Sequence, residues 1–309
     1  MKILVTGATG FVGGHMVPRL LELGHEVYAL ERHVAGRYSI DSQPRAVVYC
    51  DLRDFFSVRN TLAEVQPDIV IHLAAISPVA YSYDHPQEVF SVNTSGTMNL
   101  AEACVREVPH LKQFLFAGSS EEYGIQTQFP INENATLRAN SPYSASKISA
   151  DMYLQYLLDA HGFPVTVLRP FNSYGRKHDT HFVVERIVTQ LLKSQEVRLG
   201  DVSAKRDMIY IDDHVNAYLS CLNNSKAIGQ TINFCTGKAV TIEELVNRIG
   251  NIMSVKPNIL PNATVKRPLD IPILIGDNTK ALNIANWRPE FSLDEGLKLT
   301  VDYWSNKAG

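Results

Sequence analysis

The first 170 residues alternate short apolar runs with longer stretches of helical spacing. Ile3-Leu4-Val5 is continuously apolar and ends in a glycine-rich turn, the pattern of a strand buried on both faces of a parallel sheet. From Phe11 to Leu23 apolar residues recur at Val12, Met16, Leu20 and Leu23, which predicts an amphipathic helix stopped by Gly24. The cycle continues with strands at Val27 to Leu30, Val47 to Tyr49, Ile69 to Leu73, Phe114 to Phe116 and Val165 to Leu168. Helices are predicted between them, near Val58 to Val65, Val92 to Val105 and Tyr143 to Ala160. Strands alternating with helices of this length build βαβ units, so the expected class is α/β with a doubly wound parallel sheet.

From Phe171 onward the strands become sparse and the loops richer in Asn, Asp and Pro. Two helix starts carry capping-box spacing, Thr241 with Glu244 and Ser292 with Glu295. The expected division is a sheet domain over 1–170, rejoined by segments near 208–235, and a smaller C-terminal α/β domain over 171–207 and 236–309. Ile209 to Ile211 and Thr231 to Phe234 are the candidate strands returning to the first sheet. No internal repeat or low-complexity linker separates the two parts, so the second is expected to pack as a wall over the first.

Composition narrows the function. Twenty-nine Lys and Arg against 32 Asp and Glu give a net charge of −3, which excludes a nucleic-acid binder working by bulk charge. Hydrophobic residues at 45% and charged residues at 20% fit a folded globular chain. Cys50, Cys104, Cys221 and Cys235 are widely spaced and read as buried thiols of a reducing compartment. No apolar run approaches the roughly 20 residues that cross a bilayer, and the start is too short for a signal peptide. A cytoplasmic protein is the expectation.

The turn after the first strand reads Thr6-Gly7-Ala8-Thr9-Gly10-Phe11-Val12-Gly13. Glycines there let the backbone approach a pyrophosphate, and the helix start supplies N–H donors and a positive dipole end. This is the dinucleotide-binding arrangement of a Rossmann-type sheet. Glu31 ends the second strand, where a carboxylate accepts from a ribose 2′-hydroxyl and repels a 2′-phosphate, which favours NAD. Arg32 follows it and can pair with such a phosphate, which keeps NADP open. Asp51 and Leu52, just after the third strand, are candidate adenine contacts.

Tyr143 and Lys147 stand four apart at a helix start, so their side chains share a face. A phenol is a weak base at neutral pH, but an ammonium and a cationic nicotinamide ring both favour its ionised form. Such a base can take the proton of a sugar hydroxyl as hydride leaves the same carbon. Ser119-Ser120-Glu121-Glu122-Tyr123 follows the fifth strand, at the carboxyl end of the sheet where ligands of this fold bind. A serine there can hydrogen-bond the substrate hydroxyl, and a carboxylate there can remove a carbon-bound proton. His178 and His181 flank Asp179 without a third spaced ligand, and read as loop or helix-start histidines with no metal. Trp287 reads as a packing anchor.

Taken together, TGATGFVG, HLAA (His72 to Ala75), Asn93, GSSEEYG, SPYSASK and RPFNSYG resemble the extended short-chain dehydrogenase/reductase family acting on nucleotide sugars. The C-terminal half is most similar to the GDP-mannose 4,6-dehydratases, through Thr180 to Ile187, Leu199 to Asp207, Lys266 to Ala281 and Trp287 to Pro289. GSSEEYG with LDIP also resembles the GDP-4-keto-6-deoxy-mannose reductases. The resemblance implies Ser119 as hydroxyl partner, Tyr143 as base, Lys147 as its electrostatic support and ribose contact, and Glu121 as the dehydratase glutamate. It adds Leu73, Ala74, Ala75 and Asn93 to the cofactor contacts. Ser120, Asn172, Arg206 and Arg267 become substrate candidates, the arginines as a diphosphate clamp or, equally, as surface ion pairs. The implied substrate is a nucleotide-diphosphate sugar, and the implied assembly a homodimer or tetramer through the helices near Val92 to Val105 and Tyr143 to Ala160. Reduction of a 4-keto sugar, 4-epimerisation and a binding-only sensor remain alternatives to 4,6-dehydration.

Overall fold

The computed structural model describes residues 1–32, 43–176, 179–180, 182–262 and 268–308. Its first part runs β1 (Lys2–Thr6), α1 (Phe11–Glu22), β2 (Glu26–Glu31), β3 (Ala46–Tyr49), α2 (Phe55–Val65), β4 (Ile69–His72), α3 (Val79–Asp84) and α4 (Pro86–Phe90). A π-helical turn, Ser91–Ser95, joins α4 to α5 (Gly96–Glu107), and β5 (Gln113–Ala117) leads to a 3₁₀ turn, Ser120–Tyr123. Then come α6 (Pro142–His161) and β6 (Val165–Pro170). The second part runs β7 (Asn172–Tyr174), α7 (Val183–Leu191), β8 (Glu196–Leu199), β9 (Lys205–Tyr210), α8 (Ile211–Cys221) and β10 (Thr231–Phe234). It ends with β11 (Ala239–Thr241), α9 (Ile242–Met253), β12 (Asn258–Pro261), β13 (Ile273–Leu274), α10 (Thr279–Ala285) and α11 (Leu293–Ala308).

Seven parallel strands form the main sheet in the order β3-β2-β1-β4-β5-β6-β10. Alternation along the strands explains two cores. Ile3 and Val5 of β1, Val27 and Ala29 of β2, and Ile69 and Ile71 of β4 point to one face, covered by α1 and α8. Leu4, Leu30 and Val70 point to the other, covered by α2, α5 and α6. The first core runs on without a break into α7, β8, α9 and α11, so the C-terminal part is packed on the sheet as a wall. Both predicted capping boxes form: Thr241 with Glu244, and Ser292 with Glu295. The four cysteines are buried and free.

One expected strand goes elsewhere. Thr231–Phe234 returns to the main sheet beside β6, but Ile209 and Tyr210 belong to β9, which pairs with β7, β11 and β13 in a small second sheet. Ile211 already opens α8. The reason is topological: β10 occupies the edge of β6, while β7 leaves that edge after Phe171 and offers β9 a parallel partner. The predicted helix from Val92 also begins earlier, because α4, the π-helical turn and α5 run on from Pro86. Among the described residues no helix is long and apolar enough to cross a membrane.

Candidate active site

The order of the main sheet reverses between β1 and β4, and the crevice beyond their carboxyl ends is where the glycine turn lies. Gly7 is left-handed (φ +69°), and a Cβ there would stand 2.8 Å from the backbone nitrogen of Ala74. A Cβ on Gly13 would stand 2.2 Å from the Gly7 carbonyl oxygen. These two glycines are therefore required by the protein's own backbone, which brings α1 onto the turn and Leu73, Ala74 and Ala75 beside it. Gly10 is the N-cap of α1 and supplies no side-chain cap, so the N–H groups around Phe11, Val12 and Gly13 face the crevice mouth. Glu31 lies against this turn: its carboxylate accepts from the Thr9 backbone nitrogen at 2.7 Å and the Thr9 hydroxyl at 2.6 Å. Arg32 is exposed. Asp51 is held by Arg53 (Nη2 to Oδ2, 2.6 Å), whose bonds push its carboxyl below the usual range, and Leu52 is buried.

His72 and Asn93 organise the wall between the glycine-turn crevice and α6. The Thr97 hydroxyl donates to the Asn93 carbonyl at 2.6 Å, so His72 Nε2 must carry the ring proton toward Thr97. His72 Nδ1 then accepts from Thr6, whose oxygen also accepts from Ala74 N. Burial holds this imidazole neutral by lowering its pKa to about 3. Asn93, grouped by resemblance with the cofactor contacts, is fully buried. Its amide accepts from Ile76 N at 2.8 Å and donates to Ile76 O and Ser146 Oγ, both at 3.1 Å. It acts by fixing the loop after β4 to α6.

Helix α6 starts at an N-cap serine, Ser141, boxed with Ser144, with Pro142 at its first position. That fixes Tyr143 and Lys147 one turn apart, both buried, facing the end of β5. Lys147 Nζ donates to the Ala117 carbonyl at 2.8 Å and stands 5.0 Å from the centre of the Phe116 ring. Burial brings this ammonium down to about 8, while Glu122 opposes the fall. Burial pushes the Tyr143 phenol above its ordinary value, and a hydrogen bond with the Ser119 side chain opposes the rise. In the protein alone desolvation therefore wins, and the phenol stays protonated. The expected lowering of its pKa needs the cationic ring of the bound cofactor as well as Lys147.

Ser119 caps the 3₁₀ turn, its hydroxyl accepting from Glu121 N at 3.2 Å. Glu121 is 8% exposed, and its Oε2 accepts from Asn140 Nδ2 at 3.4 Å. Ser120 is buried in the same turn. The structure thus gathers Ser119, Glu121, Tyr143 and Lys147 into one group. It adds Asn140, which no motif singled out. The buried Oδ1 atoms of Asn140 and of Asn172, on β7, have no hydrogen-bond partner in the protein. A buried acceptor without a partner is what a bound hydroxyl or amide could satisfy. Arg206, on β9, is 8% exposed, with Nη2 3.3 Å from Oδ1 of the half-exposed Asp270. Arg267, His178 and His181 lie outside the described residues. Trp287 is buried, donates to the Asp213 carbonyl at 3.1 Å and meets Phe234 edge-on, as a packing anchor does.

The fold and this site define a class: a doubly wound α/β protein with a dinucleotide-type turn and a serine–tyrosine–lysine group at the sheet's carboxyl edge. The family model described as GDP-mannose 4,6 dehydratase matches residues 4–300. The chain belongs to that family, within the extended short-chain dehydrogenase/reductase proteins that act on nucleotide sugars. It is 32% identical to a UDP-glucose 4-epimerase of Mycolicibacterium smegmatis, covering 100% of both chains. It is 28% identical to a GDP-6-deoxy-D-mannose reductase of Pseudomonas aeruginosa, over 99% of this chain and 98% of the relative. The structure of a Thermus thermophilus UDP-glucose 4-epimerase in complex with NAD superposes with a TM-score of 0.89 at 30% identity, covering 99% of each chain.

Proposed function

We propose that the protein is an NAD-dependent nucleotide-sugar 4,6-dehydratase. What supports the finer reading is the match to the GDP-mannose 4,6 dehydratase family model over residues 4–300, taken with an enclosed Glu121 carboxylate beside Ser119 and the Tyr143–Lys147 pair, a glutamate that the resemblance gives to the 4-keto reductases as well. An oxidation at one carbon needs only the phenol and the serine. A carboxylate at the same site supplies the second base that water loss requires.

The residues present fit a dinucleotide. The uncapped α1 N-terminus takes the pyrophosphate, Gly7 and Gly10 keep the approach open, and Leu73 to Ala75 line its side. Glu31, already at the turn through Thr9, receives a ribose hydroxyl and disfavours a 2′-phosphate, hence NAD. Lys147 contacts the second ribose. When bound, NAD accepts a hydride from the sugar and gives it back.

Tyr143 takes the proton of the C4 hydroxyl, with Ser119 hydrogen-bonded to the same oxygen. The ammonium of Lys147 stabilises the phenolate that forms. Ketone formation at C4 acidifies the C5–H bond, and Glu121 removes that proton as hydroxide leaves C6. Asn140 holds Glu121, and Asn172 with Arg206 receives the nucleotide diphosphate. The segments 171–207 and 236–309 supply the sugar side. In this reading two subunits pair through α5 and α6, where Met152 and Tyr156 are 65% and 53% exposed.

A second reading, 4-epimerisation, is favoured by the identity to the Mycolicibacterium epimerase, and a third, 4-keto reduction, by the Pseudomonas reductase. Turnover of GDP-mannose and UDP-glucose in D₂O separates them. A 4-keto-6-deoxy product carrying deuterium at C5, with no net NADH change, is expected. A C4 epimer without deuterium would establish the epimerase, and NADH consumption only with a 4-keto sugar the reductase. In the dehydratase, Glu121→Gln should stop C5 exchange while C4 oxidation continues.

A further inference from the structure

Asn140 stands immediately before the Ser141 N-cap of α6 and is 5% exposed. Its backbone nitrogen donates to Ser144 Oγ at 3.0 Å, and its carbonyl accepts from the Tyr83 hydroxyl of α3 at 3.3 Å. Its side-chain Nδ2 donates to two acceptors, Glu121 Oε2 of the 3₁₀ turn and the Leu269 carbonyl before β13, each at 3.4 Å. One residue thus ties together the start of α6, α3, the turn that carries Glu121, and the C-terminal part of the chain.

The carboxamide can sit only one way round. An amide NH₂ has two protons, and here each has its own acceptor. Turned over, the amide would set its oxygen against a carboxylate and a carbonyl, with no proton between them. The backbone bonds fix where this side chain starts, and the Leu269 carbonyl fixes its far end. Glu121 itself has three side-chain torsions to settle, and a base must hold its oxygen within a fraction of an ångström of the bond it works on. A donor locked on both sides is a means of settling them: it pins one carboxylate oxygen and leaves the rest of the group a single orientation.

We propose that Asn140 is a positioning residue that acts through Glu121: anchored to α6 and to the Leu269 carbonyl, it aims the carboxylate at the sugar and so governs proton removal at C5 separately from hydride loss at C4. The inference rests on the reading of Glu121 as the base that takes the C5 proton. It deepens that reading with a separable claim. Hydride loss at C4 uses Tyr143 and Ser119, whereas only the later step uses the group that Asn140 holds.

The test compares wild type, Asn140→Leu, Asn140→Asp, Glu121→Gln and the double variant Asn140→Leu with Glu121→Gln, each as the full chain loaded with NAD. Single turnovers of GDP-mannose and of UDP-glucose in D₂O give two rates on the same molecules. NADH absorbance reads C4 oxidation, and deuterium at C5 reads proton removal. In Asn140→Leu the C5 rate should fall about 10-fold or more, the lower end for a hydrogen bond to a charged group, as suits a contact this long. The C4 rate should change by less than about threefold, so NADH accumulates. Asn140→Asp, of the same size but without the NH₂ donor, should do the same. The double variant should match Glu121→Gln alone in both readouts, because a residue acting through Glu121 has nothing left to act on. An unchanged ratio of the two rates in Asn140→Leu, or a double variant slower than Glu121→Gln at C4, overturns the proposal. A smaller folded fraction lowers both rates alike, leaves their ratio unchanged, and so counts against it as the mark of a purely structural residue. Wild type that brings no deuterium to C5 overturns the dehydratase reading and this role with it, whereas wild-type exchange with an unchanged ratio in the variant overturns the role alone.

Discussion

Replacing Arg169 by Met tests the buried ion pairs behind α6. The guanidinium hydrogen-bonds Asp151 Oδ2 at 2.5 Å and the Tyr123 hydroxyl at 3.1 Å and lies 2.8 Å from Glu122 Oε2 as an ion pair, and its removal strands two enclosed carboxylates. Breaking a buried ion pair from one side typically costs about 3–5 kcal/mol. For a chain of this size, at roughly 2–3 °C per kcal/mol, that lowers Tm by about 6–15 °C. The loss must depend on pH. Burial already carries the Glu122 carboxyl up to about 8 with Arg169 opposing the rise; without the guanidinium it rises further, so the extra penalty from this group is absent at neutral pH and below. It grows as the pH rises above about 8, by up to about 1.4 kcal/mol per unit. Urea unfolding of wild type and Arg169→Met at pH 6.5 and pH 9 should therefore show the larger deficit at pH 9. Adding Glu122→Gln and Asp151→Asn should recover much of it. A deficit below about 1 kcal/mol, or one equal at both pH values, would show that the guanidinium is not balancing these carboxylates.

Tyr143→Phe should lower kcat by about 10²–10⁴-fold while NAD affinity, measured by calorimetry, stays near wild type. Asn93→Leu removes three hydrogen bonds from a fully buried site and leaves Ile76 N and O unpaired, so denaturant unfolding should show a loss of roughly 2–5 kcal/mol. Glu31→Ser should weaken NAD binding by about tenfold and narrow the preference over NADP, since a charged acceptor is lost and Arg32 remains; an unchanged NAD/NADP ratio would remove Glu31 from the ribose site. His72, buried neutral with a pKa near 3, obliges the folded chain to exclude a proton that the unfolded chain binds below about 6.5. Stability should accordingly fall as pH drops below that value, and His72→Gln should flatten the slope.

Much of the candidate group could be read from the chain because its placement depends on local rules. The four-residue spacing of Tyr143 and Lys147 is a property of any helix, and Ser141 with Pro142 fixes where that helix begins. The glycine turn is legible for a related reason: Gly7 and Gly13 are demanded by backbone contacts within the turn and with the Ala74 loop. Two further signals were present but belonged to no catalytic motif. Ser119 and Glu122 have capping-box spacing, and Asp151 stands one turn beyond Lys147. Spacing alone could not assign Glu122 its second partner, because Arg169 comes from a strand 47 positions later.

The sequence by itself determined the alternation of strand and helix, the two faces of the sheet and the members of the phenol–ammonium–serine group. All of these follow from periodicity and from neighbours within a few residues. Tertiary structure decided which edge each late strand joins, sending β10 to the main sheet and β9 to the small one. It also tied the Asn93 side chain to the loop after β4 and to α6, and set Arg169 between Glu122 and Asp151. Such outcomes depend on which edges are already occupied and on how many charges share one dry space, and neither quantity exists until distant parts of the chain have met.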